Sequence, residues 1–187
     1  FLRVNGNKLT SIPDAIKGLT NLESLSLYDN KLATLPKSLG ELEKLKSVDL
    51  SGNQFNCLPD PFRNLTNLTE LHLTNNRLVS LPEWIGELKE LASLHVNGNK
   101  ITRLPDCVKG LPKLISLSLD YYNLTTLTDE LGELDRLESL ALNINDREEF
   151  IYSFWKFMRS NRFKVVELTL ILNPVGYSQP LWSAEHK

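Results

Sequence analysis

The chain has 187 residues, 41% hydrophobic and 24% charged, with a formal net charge of −2 from 21 basic and 23 acidic residues. No run of five like charges occurs, so the electrostatic footprint of a nucleic-acid or anionic-membrane binder is missing, and no stretch approaches the roughly 18 consecutive apolar residues of a membrane-spanning helix. Two cysteines, Cys57 and Cys107, are too few for a disulfide framework and form no Cys-x-x-Cys spacing.

Leucine occurs 38 times, and its placement is periodic. A partial phrase comes first, with Leu2, Val4 and Asn7 followed by Ile12-Pro13. Leu22, Leu45, Leu68, Leu91, Leu114 and Leu137 then stand 23 residues apart, and they open near-identical phrases close to the form Leu-x-x-Leu-x-Leu-x-x-Asn-x-Leu, as in Leu68, Leu71, Leu73, Asn76 and Leu78. In Leu71-His72-Leu73 apolar and polar residues alternate, which predicts a short strand with the leucines turned inward and His72 outward. One repeat cannot bury its own leucines. Parallel stacking at about 4.8 Å joins those of successive repeats into one core.

The slot residues Asn7, Asn30, Asn53, Asn76, Asn99 and Asn145 are expected to form a buried ladder, because only the backbone groups of neighbouring turns recur with the period. Pro36, Pro59, Pro82 and Pro105 predict irregular or 3-10 segments on the opposite side.

With Leu35-Pro36, Leu39-Gly40, Leu81-Pro82 and Ile85-Gly86, these phrases resemble the leucine-rich repeat family over residues 1 to about 145. The match is to its 23-residue Leu-Pro-x-x-Ile-Gly type, similar to plant intracellular Ras-group-related and bacterial repeats. The resemblance implies an α/β solenoid: a curved array with a parallel concave sheet and a mostly 3-10 or irregular convex side. For function it implies a binding scaffold without naming a partner. The expected organisation is one domain over 1–187, with regular repeats over 1–146 and a helix-containing long repeat and C-terminal cap over 147–187.

Two departures from the period follow. Tyr122 falls in the asparagine slot, and Thr128 stands where proline is expected. After Asn145 the next phrase is late, and Asp146 and Glu149 resemble a capping box followed by Phe150, Ile151, Phe154, Phe157 and Met158 at helical spacing. This predicts one C-terminal α-helix from Asp146 to about Ser160, packed as a cap, with the tail from Pro174 covering the end of the core. Since Phe1 falls inside a repeat, the chain reads as part of something longer. The cytoplasm is slightly favoured as its compartment, with secretion left open.

The outward strand positions align into rows, one of which runs Arg3, Ser26, Asp49, His72, His95, Ser118, Ala141 and Thr169. Its adjacent histidines could bring two imidazoles to one metal ion, with Asp49 or Glu70 as a third ligand. Its Asp, His and Ser suggest a hydrolase, but evenly spaced strand positions supply neither an oxyanion hole nor a nucleophile elbow. Gly6, Gly52 and Gly98 are repeat turns that spell no phosphate-binding motif, and the Asn-Leu-Thr triplets at Asn64, Asn67 and Asn123 read as by-products of a leucine-rich phrase.

Among the expected outward residues, the acids Glu23, Asp29, Asp49, Glu70, Asp120, Glu138 and Glu167 outnumber the bases Arg3 and Lys46. The expected function is therefore non-catalytic protein–protein recognition through the concave face, without a cofactor. The expected contacts are Tyr28, Asp49, His72, His95, Asn97, Asp120 and Tyr121, and the expected partner is a protein or peptide of neutral or basic surface, with no nucleic acid and no membrane insertion. The alternatives are the recognition region of a larger GTPase, kinase or ubiquitin ligase, and carbohydrate or metal binding on the concave rows.

Overall fold

The structure, a computed structural model, describes residues 1–120, 134, 136–144 and 167–172. Among these residues, eight parallel strands form one sheet in chain order. They are β1 (Leu2–Arg3), β2 (Ser24–Ser26), β3 (Ser47–Asp49), β4 (Glu70–His72), β5 (Ser93–His95), β6 (Ser116–Asp120), β7 (Ser139–Ile144) and β8 (Glu167–Leu172). The pairing keeps the sequence period: Leu25 lies beside Val48, Val48 beside Leu71 and Leu71 beside Leu94. These side chains are buried, with Leu27, Leu50, Leu73 and Val96 beneath the same sheet, so the alternation in each strand becomes one continuous core along the stack.

Among the described residues, five 3-10 turns form the opposite side: η1 (Asp14–Gly18), η2 (Lys37–Glu41), η3 (Asp60–Asn64), η4 (Glu83–Glu87) and η5 (Asp106–Gly110). Each follows a proline, Pro13, Pro36, Pro59, Pro82 or Pro105, whose φ lies between −73° and −66°. The ring fixes that angle and supplies no N–H, which suits the residue where extended chain enters a tight turn. Each turn buries its central apolar residue, Ile16, Leu39, Phe62, Ile85 or Val108.

The asparagine ladder is present. Asn30, Asn53, Asn76 and Asn99 are buried, and their Oδ1 atoms accept the N–H of Leu9, Leu32, Phe55 and Leu78 at 3.0–3.1 Å. Their Nδ2 groups donate back to Val4, Leu27, Leu50 and Leu73 carbonyls in the preceding turn. Asn7 departs from the expected ladder. It is exposed, and its amide bonds locally to Val4 O and Asn5 O.

The residue before each slot decides how long the strand runs. At this position Gly6, Asp29, Gly52, Asn75 and Gly98 all have φ between 55° and 71°. Glycine reaches this left-handed region freely, and Asn and Asp reach it more easily than other side chains. Ile144 and Leu172 occupy the same position in later repeats and remain in extended strand, so β7 and β8 run six residues where β2 to β5 run three. A β-branched or bulky side chain disfavours positive φ, and the strand continues instead.

Cys57 and Cys107 are unpaired, as two residues on different turns of a stack should be. The expected helix from Asp146, the tail, Asn145 and the irregular Tyr122 lie outside the described residues.

Candidate functional site

Alternation within each strand sends every second side chain to the concave face, and the stacking places them in rows. The row expected from the sequence is observed by direct pairing: Arg3 beside Ser26, Ser26 beside Asp49, Asp49 beside His72, His72 beside His95, and His95 beside Ser118. The row continues through Ala141 to Thr169.

His72 and His95 stack face to face, with ring centroids 4.7 Å apart and planes 6° from parallel. Both are half-buried, and Ser93 Oγ lies 2.8 Å from His95 Nε2 in a hydrogen bond whose direction follows the imidazole tautomer. Burial, followed by the neighbouring His72, holds His95 below the usual histidine range, against a smaller upward pull from Glu70 and Asp49. The neutral ring is the favoured form. The stack is poorly shaped for a metal, since parallel rings aim their in-plane lone pairs side by side, whereas one ion about 2.1 Å from both nitrogens needs them to converge. Among the described residues no three His, Cys, Asp or Glu side chains are placed to hold a metal ion.

The remaining expected contacts divide. Tyr28 is 47% exposed, and its ring leans over the next turn, where Gly52 leaves room for it. Asp49 is half-buried and accepts the Ser51 N–H at 2.9 Å through Oδ1. Asn97 is also half-buried, and its Oδ1 accepts hydroxyls from both sides, Thr74 Oγ1 and Ser118 Oγ, each at 2.9 Å.

Asp120 corrects the expectation of an outward contact, because it is only 6% exposed. Its carboxylate turns back to accept the backbone N–H groups of Gly98 and Asn99. That carboxylate serves the backbone of the turn beside it. Tyr121 lies outside the described residues.

Glu70 and Ser93 share the patch, although neither is among the expected contacts. Glu70 is exposed and accepts Ser47 Oγ at 2.9 Å, and Ser93 fixes His95 as described. The period-two rule marks both, since each stands two residues before a histidine on the same face. Elsewhere on the face Lys46 pairs with Glu23 at 2.9 Å and holds its carboxyl below the usual range.

A cleft of about 320 Å³ lies apart from this face, lined by Phe1 and residues 18–22. It offers little chemistry, since its one amide side chain, Asn21, already accepts Lys44 Nζ at 2.7 Å. Cys107 is no better a nucleophile, because burial first of all pushes its thiol up to about 11. Among the described residues no helix is long and apolar enough to cross a membrane.

Residues 2–55 and 58–101 match the family model described as leucine rich repeat. A leucine-rich repeat protein of Leptospira interrogans has a similar structure, with a TM-score of 0.68 and 36% identity over 76% of this chain and 38% of that one. The plant peptide hormone receptor RGFR1, solved in complex with RGF2, has a TM-score of 0.59 and 30% identity over 78% of this chain and 27% of the receptor. The ectodomain of the Arabidopsis thaliana receptor kinase GASSHO1/SCHENGEN3, solved in complex with CASPARIAN STRIP INTEGRITY FACTOR 2, has a TM-score of 0.57 and 30% identity over 76% of this chain and 18% of that one. The chain thus spans less than two fifths of each of these structures. No curated protein matches the sequence.

Proposed function

The chain belongs to the leucine-rich repeat family, and we propose that it is a non-catalytic recognition scaffold that binds a protein or peptide through its concave face. The observation that carries this reading is the open row from Arg3 to Ser118, a set of polar side chains held in register by parallel strands. Rigid backbone beneath adaptable hydroxyl, amide, imidazole and carboxylate groups suits polar protein recognition, with Tyr28 as an exposed anchoring ring. Two of the similar structures were solved with bound partners, RGFR1 with RGF2 and the GASSHO1/SCHENGEN3 ectodomain with its integrity factor, which supports a peptide or protein ligand here. The acids on the face favour a partner of neutral or basic surface.

Affinity capture with the intact chain, followed by single alanine substitutions, tests the reading. Replacing Tyr28, Asp49, His72 or His95 is expected to weaken binding by about 1–2 kcal/mol each, while the convex-side controls Lys37 and Glu87 change it little. Loss at the controls with retention at the concave four would move the site to the convex side. A second reading, that the chain is the recognition region of a larger signalling polypeptide, draws on the receptor kinase ectodomain among its neighbours. Recovery of the full coding frame decides it by the presence or absence of catalytic-domain motifs.

A further inference from the structure

The centre of the concave face brings two imidazoles and two carboxylates together. The stacked His72 and His95 rings are half-exposed, and two carboxylates border them: Asp49, which pairs with His72 across β3 and β4, and Glu70, two residues before His72 on the same face. Each carboxylate has one oxygen engaged inside the chain, Asp49 Oδ1 by the Ser51 N–H and Glu70 Oε2 by Ser47 Oγ. Among the described residues neither makes an ion pair, and Lys46 on the same face is paired with Glu23. Two oriented, unneutralised carboxylates thus flank an aromatic stack on an open surface.

We propose that Asp49, Glu70, His72 and His95 form a subsite for one cationic side chain of the partner, best filled by an arginine. The proposal rests on concave-face recognition and adds the chemistry at its centre. A guanidinium is planar, stacks on flat π-systems and presents paired donors to carboxylates, so one group can lie against the imidazoles while its N–H fork reaches Asp49 or Glu70. A lysine ammonium meets the charge without the fork.

The same geometry makes the subsite sensitive to acid. Facing the imidazole pair are Asp49 from β3, Glu70 from β4, and the uncharged Ser93, Ser116 and Ser118 from β5 and β6. With both rings neutral the cluster carries only the two carboxylate charges. Protonating either ring places a positive charge beside the incoming guanidinium, and affinity falls. The preference of His95 for its neutral form keeps the subsite competent near neutral pH.

The test titrates the intact chain with the probe acetyl-Gly-Arg-Gly-amide while following the His72 and His95 ring resonances by NMR. The citrulline peptide, of the same size and planarity but uncharged, is the reference. At about pH 7.5 the arginine peptide is expected to saturate the shifts at a concentration at least about tenfold below the citrulline peptide, and at about pH 5.5 that advantage should shrink several-fold. The double variant Asp49→Asn, Glu70→Gln should respond to both peptides alike. Equal responses of the unaltered chain to the two peptides overturn the proposal without depending on any variant's folding, as does full retention of the arginine response in the double variant. If the probe fails while a captured partner is still lost on Tyr28→Ala, the subsite falls and concave recognition stands. If the probe binds while the concave substitutions leave a captured partner untouched, the broader reading is the one that falls.

Discussion

Asn76 accepts the Phe55 N–H and donates to Leu50 O and Leu73 O from a buried slot, so removing its amide strands groups that water cannot reach. Asn97 bonds two hydroxyls at a half-exposed site, where water can replace it. Asn76→Ala is therefore expected to cost about 2–3 kcal/mol and Asn97→Ala less than about 1 kcal/mol in urea unfolding. Equal losses would show that the slot register is wrong. At His95 the folded chain binds a proton less readily than the unfolded one, because burial and then His72 disfavour the charged ring. The stability gained from keeping it neutral is complete above the ordinary histidine value of about 6.5, and it is lost as pH falls from there through the lower folded value. The melting temperature should drop between about pH 7 and about pH 5, and His95→Asn should shrink that drop. An unchanged slope in the variant would assign the acid sensitivity to other groups.

Gly40 and Gly86 lie tight against the next convex turn. A Cβ at Gly86 in η4 would stand 2.6 Å from Cys107 Cβ and 2.8 Å from Cys107 O in η5, and one at Gly40 in η2 would stand 2.6 Å from Pro61 O in η3. Backbone and Cβ atoms cannot swing aside as the tip of a long side chain can, so an added methyl must push the two turns apart. At Gly18 in η1 the same methyl meets open space. Gly86→Ala is expected to destabilise by about 1–3 kcal/mol and Gly18→Ala by close to nothing, read from denaturant midpoints. Equal midpoints would mean that the turns are not in contact. The Ile-Gly and Leu-Gly pairs of the repeat thus reflect close packing between neighbouring turns.

An inner repeat of the stack has its apolar face covered by the turns on either side, so a cavity in one turn removes contacts with both neighbours. Leu71 on β4 is fully buried between Val48 and Leu94, whereas Leu19 is 44% exposed. Leu71→Ala should cost about 3–5 kcal/mol, while Leu19→Ala should cost about 1 kcal/mol or less. Similar losses in the two variants would argue against coupling through nearest neighbours.

Much of the molecule was determined by the sequence alone, because the constraints are local and repeat. Leucine alternation fixed which face of β2 to β5 is buried, the prolines fixed where the 3-10 turns begin, and the 23-residue spacing put His72 beside His95. The lengthening of β7 was also legible, since Ile144 stands where Gly52 and Gly98 allow positive φ.

Other features depended on contacts between turns. Nothing in the spacing tells whether an outward carboxylate reaches solvent or folds back, and Asp120 folds back onto the N–H groups of Gly98 and Asn99. The sequence likewise places two imidazoles side by side without saying whether they converge or stack. The tertiary structure decided for the stack, since the two rings stand on neighbouring strands and their relative orientation is set by how the repeats pack.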